Sequence, residues 1–125
     1  MNKNSVYKSG KVAEWIALIY LLFKGYFPVS RNFITGKGTN AGEIDLIVRK
    51  KRLLVFVEVK KRQSLEKAAY AVSEKQKQRI IRGAEVFLKR HSQYDSFDIR
   101  FDAILVELPY RIRHLPNAWV STMLF

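Results

Sequence analysis

With 125 residues and 48% hydrophobic side chains, the chain is expected to form one domain, residues 1–125, that buries roughly two thirds of the surface exposed when unfolded. It has no cysteine, which excludes disulfides and thiolate metal sites and fits a reducing compartment. Its 23 Lys and Arg against 11 Asp and Glu give +12, with only three of the basic residues after residue 94, so the positive field of the first three quarters suits a polyanion.

Nucleic acid is the commonest such partner and an anionic membrane the next, while a merely solvated basic face that keeps the protein soluble is the plain alternative. Lys3, Lys8 and Lys11 followed by apolar Trp15 to Phe23 imitate a signal peptide. Against that, Glu14 sits at the edge of the apolar run, no small-residue cleavage site follows, and nine residues fall short of the roughly twenty needed to span a bilayer. The expectation is a soluble, cytoplasmic protein with no membrane partner.

The first element is a helix from about Ser9 to Lys24, apolar nearly all round and therefore buried, stopped at Gly25. Tyr26 to Thr35 reads as a strand beginning near Pro28, and Gly36 to Gly42, "GKGTNAG", as a loop. Gly42 to Arg62, "GEIDLIVRKKRLLVFVEVKKR", then reads as a β-hairpin. Gln63 to Val72 is a weakly patterned connection. Ser73 with Gln76 has the form of a capping box, and Ile80, Ile81, Ala84, Phe87 and Leu88 have helical spacing, which predicts a helix from about Ser73 to His91. Asp98 to Leu108 is a further strand, and a last short strand is expected near Ala118 to Thr122, after Pro116. A strand, a helix and a second strand in succession imply a crossover to a parallel neighbour, so the fold class is α/β with a mixed sheet.

The hairpin carries the chemistry. If it turns about Lys51 and Arg52, opposing residue numbers sum to 103, and Ile44, Leu46, Val48, Val55, Val57 and Val59 share one apolar face. Asp45 then faces Glu58, and Glu43 faces Lys60. Lys51-Arg52 is a poor pair for a tight primed turn, and a one-residue bulge would send Asp45 and Glu58 to opposite faces; the continuous apolar match favours the first register. Directly opposed carboxylates are close enough to share one divalent cation, and without one they repel until one of them is driven toward protonation. Glu43 with Lys60 can equally be an ordinary cross-strand ion pair. Asp45 and Glu58 are harder to explain structurally, because acids are disfavoured between the apolar neighbours of a strand interior.

Hard oxygen ligands suit Mg²⁺ or Mn²⁺, which neutralises charge on a scissile phosphate and lowers the pKa of a bound water. Lys60, two residues from Glu58, would orient that water or stabilise negative charge. On the second helix Gln76 either touches Lys60 and substrate phosphate or serves only the capping box, while Lys75, Lys77, Arg79 and Arg62 are candidates for phosphate contact. His91 and His114 are too few and too scattered for a metal site and receive no role.

Asp45 with Glu58-Val59-Lys60 resembles the constellation of the PD-(D/E)xK nuclease superfamily, which includes restriction endonucleases and archaeal Holliday-junction resolvases. More closely, "GKVAEW" at Gly10 to Trp15, "GEIDLIV" at Gly42 to Val48, "FVEVKKR" at Phe56 to Arg62 and "RFDAI" at Arg100 to Ile104 are similar, in order and spacing, to the YraN-type bacterial family. The resemblance covers nearly the whole chain. It implies a restriction-endonuclease-like mixed central sheet flanked by helices, and metal binding by Asp45, Glu58 and the Val59 carbonyl. It also implies a catalytic Lys60 and a helical acid, Glu14, that completes the metal's water shell or serves a second metal. The alternative for Glu14 is a surface acid favoured by the helix dipole. The superfamily's proline before the first aspartate is Ile44 here, a position that ligates nothing. The implied activity is hydrolysis of DNA rather than RNA, branched or single-stranded, by a homodimer. "NAWVSTMLF", Asn117 to Phe125, is one surface that could pair. The alternatives are a module that binds nucleic acid in recombination, repair or RNA handling with little catalysis, and an adaptor for an acidic protein.

Overall fold

The computed structural model describes residues 3–34, 43–61, 72–107 and 111–120, with side chains described from residue 10 onward. The order is helix α1 (Lys3–Phe23), strands β1 (Phe27–Phe33), β2 (Ile44–Lys50) and β3 (Leu53–Lys61), helix α2 (Glu74–Arg90), a 3₁₀ turn (Ser92–Tyr94), and strands β4 (Asp98–Glu107) and β5 (Arg111–Trp119). The five strands form one sheet in the order β1-β2-β3-β4-β5. All neighbours are antiparallel except β3 and β4, which run parallel because α2 carries the chain back between them. The expected segments from 36 to 42 and from 63 to 71 lie outside the described residues.

From Leu46 the hairpin keeps the expected register: Leu46 pairs Val57, Ile47 pairs Phe56, Val48 pairs Val55, and Lys50 pairs Leu53; Ile44, expected on the apolar face of Leu46 and Val48, packs instead in the α2-side core. Lys51 makes the tight turn possible by entering the left-handed region at φ 55°, so no bulge intervenes. Alternation then sorts the strands. Leu46, Val48, Val55, Val57, Ile104 and Val106 pack against Ala13, Ala17, Leu18 and Leu21 of α1. Ile47, Leu54, Phe56, Phe101 and Trp119 pack against Ile80, Ile81, Ala84 and Phe87 of α2. Phe56 stacks on Phe101, Phe101 on Trp119, and Phe87 meets Phe56 edge-on, all with centroids 5.6 to 5.9 Å apart. Both faces of the central strands are covered, which explains why β3 and β4 read as near-continuous apolar runs.

Helix α2 meets its expectation closely. Ser73 caps it, its hydroxyl accepting from the Gln76 N–H at 3.2 Å while the Gln76 side chain accepts from the Ser73 N–H at 3.3 Å.

Three expectations need correction. Helix α1 starts at Lys3, earlier than Ser9, and it is not buried all round. Its outer face leaves Val12, Trp15, Ile19 and Leu22 about half exposed and Phe23 88% exposed, because a helix laid on a sheet can bury only one side. Its end is as expected: Gly25 at φ 93° closes it, with Tyr26 N–H donating to the Leu21 carbonyl and Gly25 N–H to the Leu22 carbonyl. The last strand begins at Arg111, ahead of Pro116, not after it. A register shift opposite Phe101 to Ala103, with Asn117 at φ 52°, absorbs the proline on this edge strand. Of the proposed pairing surface, Trp119 is packed in the core and Val120 is exposed, while residues 121–125 lie outside the described set.

Candidate active site

The β2–β3 ladder stops at the Leu46–Val57 pair. One residue further, the Asp45 carboxylate replaces the missing backbone partner, its Oδ2 accepting from the Val59 N–H at 2.8 Å. In an extended strand the N–H and C=O of one residue point the same way, so the Val59 carbonyl also faces the β2 side, beside Asp45. Glu58 shares the α2 face of the sheet with Phe56, and its carboxyl lies close enough to Asp45 for the two acids to act on each other's protonation. The structure thus brings together Asp45, Glu58 and the Val59 backbone.

Burial and the neighbouring Glu58 push the Asp45 carboxyl up to about 8, against the opposing pull of the Val59 N–H, with Glu14 and Glu43 adding to the rise. Burial also raises Glu58, less the effect of Lys60, whose Nζ lies 3.0 Å from Glu58 Oε1. A buried pair of neighbouring acids of this kind holds a proton near neutral pH unless a cation takes its place. Lys60 therefore pairs along its own strand with Glu58, where the hairpin register alone allowed a cross-strand pair with Glu43.

Glu14 reaches the same neighbourhood from α1: its charge acts on Asp45, and burial raises its own carboxyl. Its Oε1 is buried with no hydrogen bond among the described residues, the 3.6 Å approach of Lys11 being an ion pair too long for one. Glu43, Glu58, Gln76, Arg79 and Ile80 line a cavity of about 170 Å³, enough for an ion with several waters. So α2 does start at the acids, and Gln76 both caps the helix and walls the cavity. Lys75 is exposed on the first turn, and Lys77 is partly neutralised by Glu74 at 3.2 Å. Arg62 lies outside the described residues.

The donor set fits a hard divalent cation: buried carboxylates in excess of their counter-charge, a facing carbonyl, and an unpartnered Glu14 oxygen at the edge. Among the described residues no three His, Cys, Asp or Glu side chains converge at ligating distance, so waters would fill much of the coordination shell, as Mg²⁺ prefers.

Sequence reasoning missed a second polar centre behind Glu58, on the α1 face. Asp102 is fully buried and accepts from Arg100 Nε and Nη2, both at 2.8 Å, from the Asn117 N–H at 3.0 Å, and pairs with His114 Nε2 at 2.7 Å. Burial alone would raise Asp102; the contacts from His114, Arg100 and Asn117 outweigh it and hold the carboxyl below its usual range. His114 Nδ1 meets the Tyr20 hydroxyl at 3.3 Å and Arg100 Nη2 donates to Tyr26 at 2.7 Å, so the centre ties α1 to β4 and β5. Arg100 and Asp102, two apart on one strand, were the available signal; His114 offered none.

Residues 13–106 match the family model described as "Uncharacterised protein family UPF0102". A UPF0102 protein of Nitrobacter winogradskyi is 46% identical over 116 residues, covering 92% of this chain and 94% of the relative. Another, of Paramagnetospirillum magneticum, is 43% identical over 113 residues, covering 90% and 87%. Among solved structures, Hjc of Archaeoglobus fulgidus, a Holliday junction resolvase, aligns with a TM-score of 0.56 at 15% identity, over 86% of this chain and 76% of that one. At that identity the likeness concerns the fold, a mixed five-stranded sheet flanked by helices.

Proposed function

The chain belongs to the UPF0102 family, and on that premise we propose that it is a metal-dependent nuclease that binds DNA and hydrolyses its phosphodiesters. The observation that carries this reading is the buried Asp45–Glu58 carboxyl pair, raised together and flanked by Lys60. Structures spend stability on such like-charged, desolvated pairs where function uses them.

In this reading Asp45, Glu58 and the Val59 carbonyl would hold Mg²⁺ or Mn²⁺, with Glu14 available to accept hydrogen bonds at the edge of the site. The ion would supply charge neutralisation at the scissile phosphate and an acidified water. The Val59 N–H fixes the Asp45 carboxylate through its Oδ2. Lys60, released from Glu58 when that acid's charge is otherwise satisfied, donates to the attacking water or the phosphate oxygen. Arg79 at the cavity wall, with Lys75, Lys77, Gln76 and Arg62, would position the backbone of the substrate. A soluble single domain in the cytoplasm, pairing as a homodimer, completes the proposal.

A second reading is a nucleic-acid-binding module with little catalysis. It draws on the absence of a three-ligand cluster among the described residues and on the engagement of Lys60 by Glu58. Cleavage assays on duplex, single-stranded, flap and four-way DNA with Mn²⁺ separate the two. Product that disappears in Asp45→Asn, Glu58→Gln and Lys60→Met supports the nuclease. Salt-sensitive binding without product on any substrate supports the module.

A further inference from the structure

At the opposite end of the sheet a second cavity, of about 400 Å³, opens between Tyr26, the β2–β3 turn and the start of β4. Lys50, Lys51, Arg52 and Arg100 line it with Tyr26, against a single acid, Asp98. It lies on the α1 side, since Tyr26 and Leu53 pack on the α1 core. The rise of a strand puts it about 17 Å along β3 from Glu58, whose side chain faces the other way. The carboxylate site and this one are therefore separate.

Two cations of this cavity, Lys50 and Arg52, have no matching anion among the described residues. Lys50 Nζ donates to the Lys24 carbonyl at 2.9 Å and sits 5.2 Å from the Tyr26 ring. Arg52 donates to the Ser96 hydroxyl and lies over the Phe97 ring, 4.9 Å from its centroid, at the α2-side edge of the cavity, since Phe97 packs on the α2 core. Their acceptors among the described residues are neutral oxygens, which a charged oxygen would outbid. Arg100 is different: Asp102 grips it through two nitrogens and Tyr26 through one, which makes it a rigid wall. Lys51, exposed at the rim, holds a left-handed backbone that lysine disfavours. Two cations held only by neutral oxygens, beside a fixed Arg100 and an open space, suit a phosphate group.

We propose that this cavity is a second anion site that takes a phosphate group, with room for a nucleotide-sized ligand. Lys50 and Arg52 turn from their neutral acceptors to the phosphate oxygens, Arg52 through paired N–H groups. Lys51 closes the rim, and Tyr26 forms the floor. The site owes nothing to the cleavage reading, and the failure of either leaves the other standing.

The test is a titration of the full-length labelled protein with pyrophosphate at low salt, followed by the Tyr26 ring and Leu53 amide resonances. Saturable shifts are expected, with affinity about tenfold weaker in Lys50→Gln and in Arg52→Gln. Arg111→Gln, an exposed cation on β5 outside the cavity, should leave affinity unchanged. Displacement of pyrophosphate by a 5′-phosphorylated oligonucleotide identifies nucleic acid as the source of the phosphate; displacement by ATP alone identifies a free nucleotide, and either supports the site. No saturable shift at millimolar pyrophosphate, or equal weakening in all three variants, overturns it.

Discussion

Replacing Asp45 by Asn should make the metal-free protein more stable at pH 8. The substitution keeps an oxygen for the Val59 N–H and removes the charge that Glu58 and burial oppose. An aspartate raised from its usual value of about 4 to about 8 binds its proton more tightly folded than unfolded. The sign follows from linkage: below about pH 4 both states are protonated and nothing is lost, stability falls as pH rises from 4 toward 8, and the loss saturates above 8. At 1.36 kcal/mol per unit the span is at most about 5 kcal/mol, and sharing one proton with Glu58 brings the part removable at Asp45 to about 2 to 4 kcal/mol. For a chain of this size that is roughly 10 °C in Tm. Urea denaturation from pH 5 to 8.5 without divalent ions should show a falling wild-type curve and a much flatter Asp45→Asn curve, crossing to the variant's advantage. Adding Mn²⁺ should restore the wild type and leave the variant unmoved. Parallel curves for the two proteins would refute the buried-pair argument.

The other predictions address separate parts of the fold. Lys60→Met should abolish metal-dependent cleavage, by about 100-fold or more, while salt-dependent DNA binding persists within a few fold. Ser73→Ala removes one arm of the capping box and should cost about 1 kcal/mol, read as a Tm lowered by roughly 3 to 5 °C with an unchanged urea m-value. Asp102→Asn leaves Arg100 and His114 without their carboxylate inside the α1 core and should cost about 3 to 5 kcal/mol by urea denaturation. A loss under 1 kcal/mol there would show that the centre relaxes freely.

Much of this architecture was legible because apolar alternation leaves little freedom. One register of Gly42 to Arg62 aligns Ile47 with Phe56 and Val48 with Val55, and the same register brings Asp45 to Glu58. The parallel partner of β3 was readable from the capped, amphipathic α2 between two apolar runs. What escaped depends on tertiary detail. The strands part at Asp45 because its side chain takes the Val59 N–H, a choice that no residue pattern encodes. The apolar outer face of α1 reads as buried in the sequence, yet among the described residues Ala13, Ala17, Leu18 and Leu21 are buried on the sheet, with Ile16 and Tyr20 only partly so. Pro116 looked like a strand boundary, and an edge position with a bulge let β5 run through it. His114 finds Asp102 only because β4 and β5 pair, so a lone histidine gave no hint of its buried contacts.

The most direct test is anomalous diffraction from crystals soaked in Mn²⁺. The account predicts one strong peak within bonding distance of Asp45, Glu58 and the Val59 carbonyl, with Lys60 turned away from Glu58. Well-ordered density with no peak at these oxygens, or the same peak retained in Glu58→Gln, would contradict it.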